Sequence, residues 1–199
     1  AAAADRPANV DAARLNAAAA DGANWLTYGR TYSEQRFSPL TEIDVKTVGR
    51  LGLAWAYDID EVRPVEATPI VVDGVMFAPT PGRAIVAVDA TTGREIWRRT
   101  LPPVTRPRLQ DAPARRGLVY WPGDSTAPAR VIFGFGDWIY SVDPRTGEPT
   151  PGFGAGGRVE IPTGATASGA IFRNIYVTCG VNGDAYGYDL RDGRLLWRF

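Results

Sequence analysis

The chain has 199 residues, 45% of them hydrophobic, with a formal net charge of +0, a balance that supports a sizeable core and excludes charge-driven disorder. Neutrality argues against nucleic acid as a partner, which calls for a basic surface, and no run of ~18 apolar residues is present to span a membrane. There is no histidine and Cys179 is the only cysteine; this excludes Ser-His and Cys-His nucleophile pairs, His-ligated zinc, Cys-x-x-Cys-His haem attachment and any intramolecular disulfide.

The start, Ala1-Ala2-Ala3-Ala4-Asp5, has neither a basic nor an apolar signal region, so it is not an intact signal peptide, although small residues suit a chain already processed for export. Residues 10–21 are Ala-rich and read as a short helix with Asn9 as candidate cap. An irregular aromatic segment follows, Asn24 to Leu40, and then a helical turn between Thr41 and Arg50 with Thr41 or Asp44 as its cap. Leu53 to Tyr57 reads as a strand. Thr68 to Val72 and Val75 to Pro79 form a hairpin, because Asp73-Gly74 supplies the positive φ of a type I′ turn. Ile85–Asp89 and Glu95–Trp97 make the next hairpin. The cycle recurs with strands at 130–134, 138–142 and 157–160, and again at 170–172, 174–178, 185–188 and 195–197. The strand context of Cys179 predicts a buried structural thiol rather than a nucleophile.

One phrase recurs. Ala87-Val88-Asp89-Ala90-Thr91-Thr92-Gly93-Arg94-Glu95-Ile96-Trp97 is echoed by Gly187-Tyr188-Asp189-Leu190-Arg191-Asp192-Gly193-Arg194-Leu195-Leu196-Trp197. Tyr140-Ser141-Val142-Asp143-Pro144-Arg145-Thr146-Gly147-Glu148-Pro149 is a third copy without the closing Trp. A period of ~40–50 residues with strand chemistry in each unit predicts an all-β fold, a β-propeller of four-stranded antiparallel blades. About four blades are expected of a propeller of roughly eight, with residues 1–50 as an N-terminal helix and aromatic segment and 51–199 as the partial propeller.

The run Trp25 to Arg30 with Tyr32 to Leu40 resembles the N-terminal segment of pyrroloquinoline-quinone (PQQ)-dependent dehydrogenases, the bacterial quinoproteins that oxidise alcohols and glucose. Leu51 to Trp55, Glu66 to Met76 and Arg116 to Trp121 continue the resemblance in order, and the Asp…Gly…Trp phrase is similar to the family's blade-docking motif. The resemblance implies that Glu66 hydrogen-bonds the quinone, that Arg116 is catalytic and cofactor-binding at the reactive quinone oxygens, and that Thr166 contacts the cofactor. Read without the flanking motifs, these are a strand-edge Glu, a solvated Arg and a loop Thr, and Thr166 keeps both readings. The chain departs from the family in two places. Gln110-Asp111 stands where some members carry adjacent cysteines, and the first calcium-ligating glutamate has no clean counterpart, Asp184 being a forced match. The resemblance thus implies PQQ and Ca2+ as cofactors, with no metal ligand assigned in this chain and with the base and most calcium ligands downstream.

Two function classes follow. The first is part of an oxidoreductase that passes hydride from an alcohol or sugar hydroxyl carbon to the quinone, with a cytochrome or a membrane quinone as electron acceptor, in the periplasm. As given, the chain is expected to be an incomplete, inactive portion, or to associate with a second chain or another copy to complete a propeller. The alternative is a non-catalytic propeller scaffold that binds partner proteins in the bacterial envelope. Such a scaffold would keep the docking phrase, which serves packing, but has no need of Glu66-Ala67-Thr68-Pro69 or Arg116-Gly117.

Overall fold

A computed structural model describes residues 9–59, 65–103, 116–165 and 167–199. The Asp73-Gly74 turn (φ 48° and 81°) joins β1 (Ile70–Val72) to β2 (Val75–Pro79) with Val72 opposite Val75, the register a two-residue type I′ hairpin imposes. β3 (Ala84–Asp89) and β4 (Glu95–Thr100) complete a four-stranded antiparallel meander in chain order. The same order is repeated by β5 (Val119–Trp121), β6 (Arg130–Phe135), β7 (Trp138–Val142) and β8 (Arg158–Glu160), and again by β9 (Ala170–Phe172), β10 (Ile175–Cys179), β11 (Ala185–Asp189) and β12 (Leu195–Arg198). Three blades are therefore formed among the described residues. β5 escapes detection by periodicity because it is three residues long and buried on both faces, so it shows no alternation.

The recurring phrase builds the same turn three times. Asp89 accepts the Thr91 and Thr92 N–H groups at 2.9 Å, Asp143 that of Arg145 at 2.8 Å and Asp189 that of Arg191 at 3.0 Å. In each turn the glycine N–H returns to the Asp carbonyl, at 2.8–2.9 Å. Gly93, Gly147 and Gly193 hold φ of 71°, 71° and 80°, a conformation that disfavours any side chain.

These turns receive the preceding blade. The Trp97 indole lies on Gly147 of the second blade, where a Cβ would fall 2.5 Å from the ring, and its N–H donates to the Pro144 carbonyl at 2.9 Å. Trp55 lies on Gly93 in the same way and donates to the Ala90 carbonyl at 3.1 Å. Residues 53–57 therefore dock as an outer strand would. They are not a strand, however: a strand exists only where a neighbour completes its ladder, and among the described residues none pairs with this segment.

At the junction between the second and third blades Val159 and Phe153 cover Gly193 in place of a Trp, and the polar link comes from a buried cation. Arg130 is 1% exposed, flanked by the Trp121 and Phe153 rings, and donates Nη2 to the Arg191 carbonyl at 2.8 Å, while its Nε and Nη1 have no partner among the described residues. Burial pushes this guanidinium below its usual range, with Asp124, Asp192 and Asp189 opposing the shift. A buried charge so incompletely paired contributes little net stability. Arg130→Met is thus expected to leave the urea midpoint within about 1 kcal/mol of wild type, whereas Arg130→Ala loses about 2–5 kcal/mol of packing. A methionine variant as unstable as the alanine variant would show instead that the single bond to Arg191 carries the junction.

Alternation along the middle blade divides its side chains between two cores. Tyr120, Val131, Phe133, Tyr140 and Val142 join Ile70, Phe77, Ile85 and Trp97 of the first blade; Val119, Trp121, Ile132 and Ile139 join Tyr176, Tyr186 and Tyr188 of the third. Val10, Ala18 and Leu26 of the N-terminal segment enter the first of these cores. The N-terminal helix, α1, is Ala12–Ala17, shorter than the sequence suggests, and continues as a 3-10 turn, Ala18–Ala20. Its cap is Asp11, which accepts the Arg14 N–H at 2.9 Å; Asn9 instead donates to Asp11 and so supports the cap from one step back. Asp44 caps the turn before Val48–Arg50, accepting the Lys46 and Thr47 N–H groups at 2.8 Å.

Cys179 is exposed, not buried. On β10 the residues Tyr176 and Thr178 face the second blade, and Cys179 falls on the opposite face, which no blade covers among the described residues. Trp197 shares this fate at 41% exposure. No helix of the described residues is long and apolar enough to cross a membrane.

Stability should follow the turn carboxylates. Asp89 is held below the usual carboxylate range by the Thr92 and Thr91 N–H groups, Asp124 by the Thr126 hydroxyl and then Arg191, and Asp184 by Arg198. Their folded values lie under the unfolded value of 3.8. Their contribution is therefore whole above that pH and is lost as pH falls through the folded values. With no histidine, the urea midpoint is expected to be flat from about pH 5 to 8 and to drop below about pH 4. A step near neutral pH would contradict this.

Candidate functional site

Two of the residues singled out from the sequence occupy the same place in the repeat: Glu66 precedes β1 and Arg116 precedes β5, so both stand at the entry of the first strand of their blade. First strands of neighbouring blades approach one another, as β5 and β9 do, so their entries gather at one end of the assembly. Glu66 and Arg116 are both exposed there. Thr166 lies outside the described residues, as do Gln110 and Asp111.

The Glu66 and Arg116 segments are joined directly. The Thr68 N–H donates to the Arg116 carbonyl at 3.4 Å. Gly117, next in the chain, has φ of 153°, and a Cβ built there would lie 3.2 Å from the Ser168 Cβ, 3.3 Å from the Tyr28 ring and 3.5 Å from the Thr68 carbonyl. Chain from all three blades and from the N-terminal segment thus converges on the backbone carrying Arg116. The arrangement presents a carboxylate and a guanidinium at one mouth, on strand entries fixed by blade packing. Such a wall suits an anionic planar ligand: the guanidinium offers paired donors to carboxylate or quinone oxygens, and the carboxylate accepts from a ligand N–H. In donor chemistry the two side chains are of the kind that PQQ, an anionic planar quinone, would require on one side of its site.

They do not fit calcium. Ca2+ takes six to eight oxygen ligands, and among the described residues no group of three Asp, Glu, Cys or His side chains converges. Asp184, the nearest sequence candidate, is bonded by Arg198 through Nε at 3.1 Å and Nη2 at 2.8 Å, and its carbonyl closes the short turn from Gly180 at 2.9 Å. Its carboxylate serves the end of the third blade.

Two residues of this region lie in the run that carries the resemblance, but the sequence assigns neither a role. Arg30 is 3% exposed and donates to the carbonyls of Phe37 and Ala18 at 2.8 Å, Asp21 at 2.8 Å and Ala19 at 3.3 Å, clamping the aromatic segment onto α1. Nothing in its neighbours marks it as buried. Tyr28 is the second; the glycine after Arg116 is the only sign that something packs closely there.

Residues 25–199 match the PQQ family whose description is glucose/ethanol/alcohol dehydrogenase, beta-propeller domain. The quinohemoprotein alcohol dehydrogenase ADH-IIG of Pseudomonas putida is 39% identical over 209 residues, covering 99% of this chain and 28% of its own length. Its solved structure superposes with a TM-score of 0.81 at 35% identity over 98% of this chain and 29% of that one. The quinohemoprotein alcohol dehydrogenase of Comamonas testosteroni gives 0.77 at 28% identity, over 99% of this chain and 30% of that one. BamB from Moraxella catarrhalis, at 18% identity and 0.52 over 73% of this chain and 39% of its own, shares the fold alone. The chain spans under a third of the length of the alcohol dehydrogenases it matches.

Proposed function

The chain belongs to the PQQ-dependent glucose/ethanol/alcohol dehydrogenase propeller family, and on that premise we propose that it forms one wall of the quinone site of an alcohol-oxidising enzyme. The observation that carries the proposal is the union of the Glu66 and Arg116 segments through the Thr68–Arg116 hydrogen bond, at the shared entry of the first strands. When bound, the quinone would supply the redox chemistry, as a hydride acceptor for the hydroxyl-bearing carbon. Arg116 would hold a fixed positive charge toward the quinone oxygens, Glu66 would orient the ring system by accepting a hydrogen bond from it, and Thr166 would add a further contact. On this reading, as the family resemblance implies, the proton acceptor and the Ca2+ ligands would be supplied by residues outside this chain, and the chain would not turn over substrate alone. An alcohol substrate agrees with the names of the relatives; the names alcohol dehydrogenase (quinone) of Komagataeibacter europaeus and 1-butanol dehydrogenase (cytochrome c) of Thauera butanivorans support a quinone or a cytochrome as electron acceptor. We place the enzyme in the periplasm. The scaffold reading gains no support from Glu66 and Arg116, which a purely protein-binding propeller does not require.

Titration of the purified protein with PQQ, followed by calorimetry and by tryptophan quenching, tests this directly. Saturable binding that weakens about tenfold to a hundredfold in Glu66→Ala and in Arg116→Ala is expected, the loss of one hydrogen bond to a charged group. No binding by folded protein, or binding indifferent to both substitutions, would overturn it.

A further inference from the structure

We infer that Tyr28 is a positioning residue for Arg116, so that the N-terminal aromatic segment is a working part of the cofactor wall and not only a cover for the first blade. The inference rests on the reading that Arg116 meets the quinone. Its basis is a stack of contacts that ends on the Arg116 backbone. The Tyr28 ring lies against Gly117, closely enough that a Cβ at that glycine would come within 3.3 Å of its Cδ2. The guanidinium of Arg36 lies over the ring, 4.4 Å from its centroid. The ring thus packs against Arg36 and against the backbone that follows Arg116, at the glycine where Thr68 and Ser168 also come close.

The segment that delivers Tyr28 is itself held in place. Arg30 ties it to Ala18, Ala19, Asp21 and Phe37 through their backbone carbonyls. The Trp25 indole N–H donates to the Tyr28 carbonyl at 3.3 Å, and the Arg36 N–H donates to the Gly29 carbonyl at 3.2 Å. Arg30, Glu34 and Arg36 adopt positive φ of 73°, 54° and 54° although none is glycine. Conformations of that kind persist where the surroundings over-determine them, and they concentrate at sites of function. A platform so constrained at its base, reaching by one aromatic ring to the backbone of the proposed cofactor arginine, has the build of a supporting shell. Arg116 is exposed and long; without a fixed backbone its guanidinium would sample many positions, and misplacement of a contacting group by about 1 Å can cost up to about a hundredfold.

The test compares Tyr28→Ala, Tyr28→Leu and Tyr28→Phe in the purified protein with two readouts. The first needs no ligand: hydrogen exchange at the Thr68 amide, whose N–H donates to the Arg116 carbonyl and so reports the backbone there without depending on the ring's own magnetic field. The second is PQQ affinity by calorimetry. Expected are about tenfold faster Thr68 exchange and about tenfold weaker PQQ binding in the Ala and Leu variants, both restored in the Phe variant, which keeps the ring. Leu retains bulk without the ring and decides the matter where Ala fails to fold. Folded Ala or Leu variants with wild-type Thr68 exchange and wild-type affinity would overturn the inference. Affinity lost while Thr68 exchange is unmoved would overturn it too, since Tyr28 would then act by another route. Should the wild-type protein bind no PQQ, the functional reading fails, and Thr68 exchange alone decides whether Tyr28 sets the backbone at Arg116.

Discussion

Replacing Trp97 by alanine is expected to destabilise the protein by about 3–5 kcal/mol, whereas the same change at Trp197 stays within about 0.5 kcal/mol. Both residues close the same sequence phrase, and their surroundings differ completely. Trp97 is 8% exposed, lies on Gly147 of the next blade, touches Phe77 at 6.0 Å between ring centroids and donates to the Pro144 carbonyl. Its removal opens a cavity between two blades and leaves that carbonyl without its partner. Trp197 has no turn beneath it among the described residues; its ring lies over Gly187 on the adjacent strand of its own blade. Urea denaturation of both variants measures the contrast. Trp97→Phe should recover most of the loss and retain about 1 kcal/mol of it, the share of the indole N–H. Equal losses at the two positions would show that the Trp stabilises its own strand and not the junction.

Loss of PQQ affinity in Arg116→Ala and Glu66→Ala is the second large effect. Each substitution deletes a charged group that would meet the cofactor, and a hydrogen bond to a charged group contributes about 1.5–3 kcal/mol, or about tenfold to a hundredfold in affinity. Arg116→Lys separates charge from geometry. Lysine keeps the cation but offers no paired, planar donors, so it should bind PQQ more weakly than wild type and better than alanine. Neither residue is buried, so all these variants should fold with unchanged urea midpoints. An affinity loss accompanied by unfolding would point to a structural role instead.

Much of this was legible in the sequence because it is written in local chemistry. Asp73-Gly74 dictates its hairpin, and Asp…Gly at 89–93, 143–147 and 189–193 dictates three identical turns, since a carboxylate that bonds the next N–H groups and a glycine at positive φ leave little choice. Properties set by a neighbour in space were not legible. Leu53 to Tyr57 has strand composition but lacks a ladder partner. Cys179 has a buried-strand context but sits on the uncovered face of its blade. Asn9 and Asp11 are both good caps, and only the geometry of the first turn selects Asp11. Arg30 and Arg130 look like ordinary surface arginines and are instead buried cations that tie loops through carbonyls. At the candidate site the sequence singled out Glu66 and Arg116, whose segments one backbone hydrogen bond joins; it did not reveal that Tyr28, Thr68 and Ser168 all lie against Gly117.

The most direct measurement is a crystal structure of the protein with PQQ bound. The account predicts the cofactor at the entry of the first strands, with the Arg116 guanidinium and the Glu66 carboxylate both within hydrogen-bonding distance of it and the Tyr28 ring still against Gly117. Cofactor seated elsewhere, or bound at that mouth without touching either Glu66 or Arg116, would contradict it.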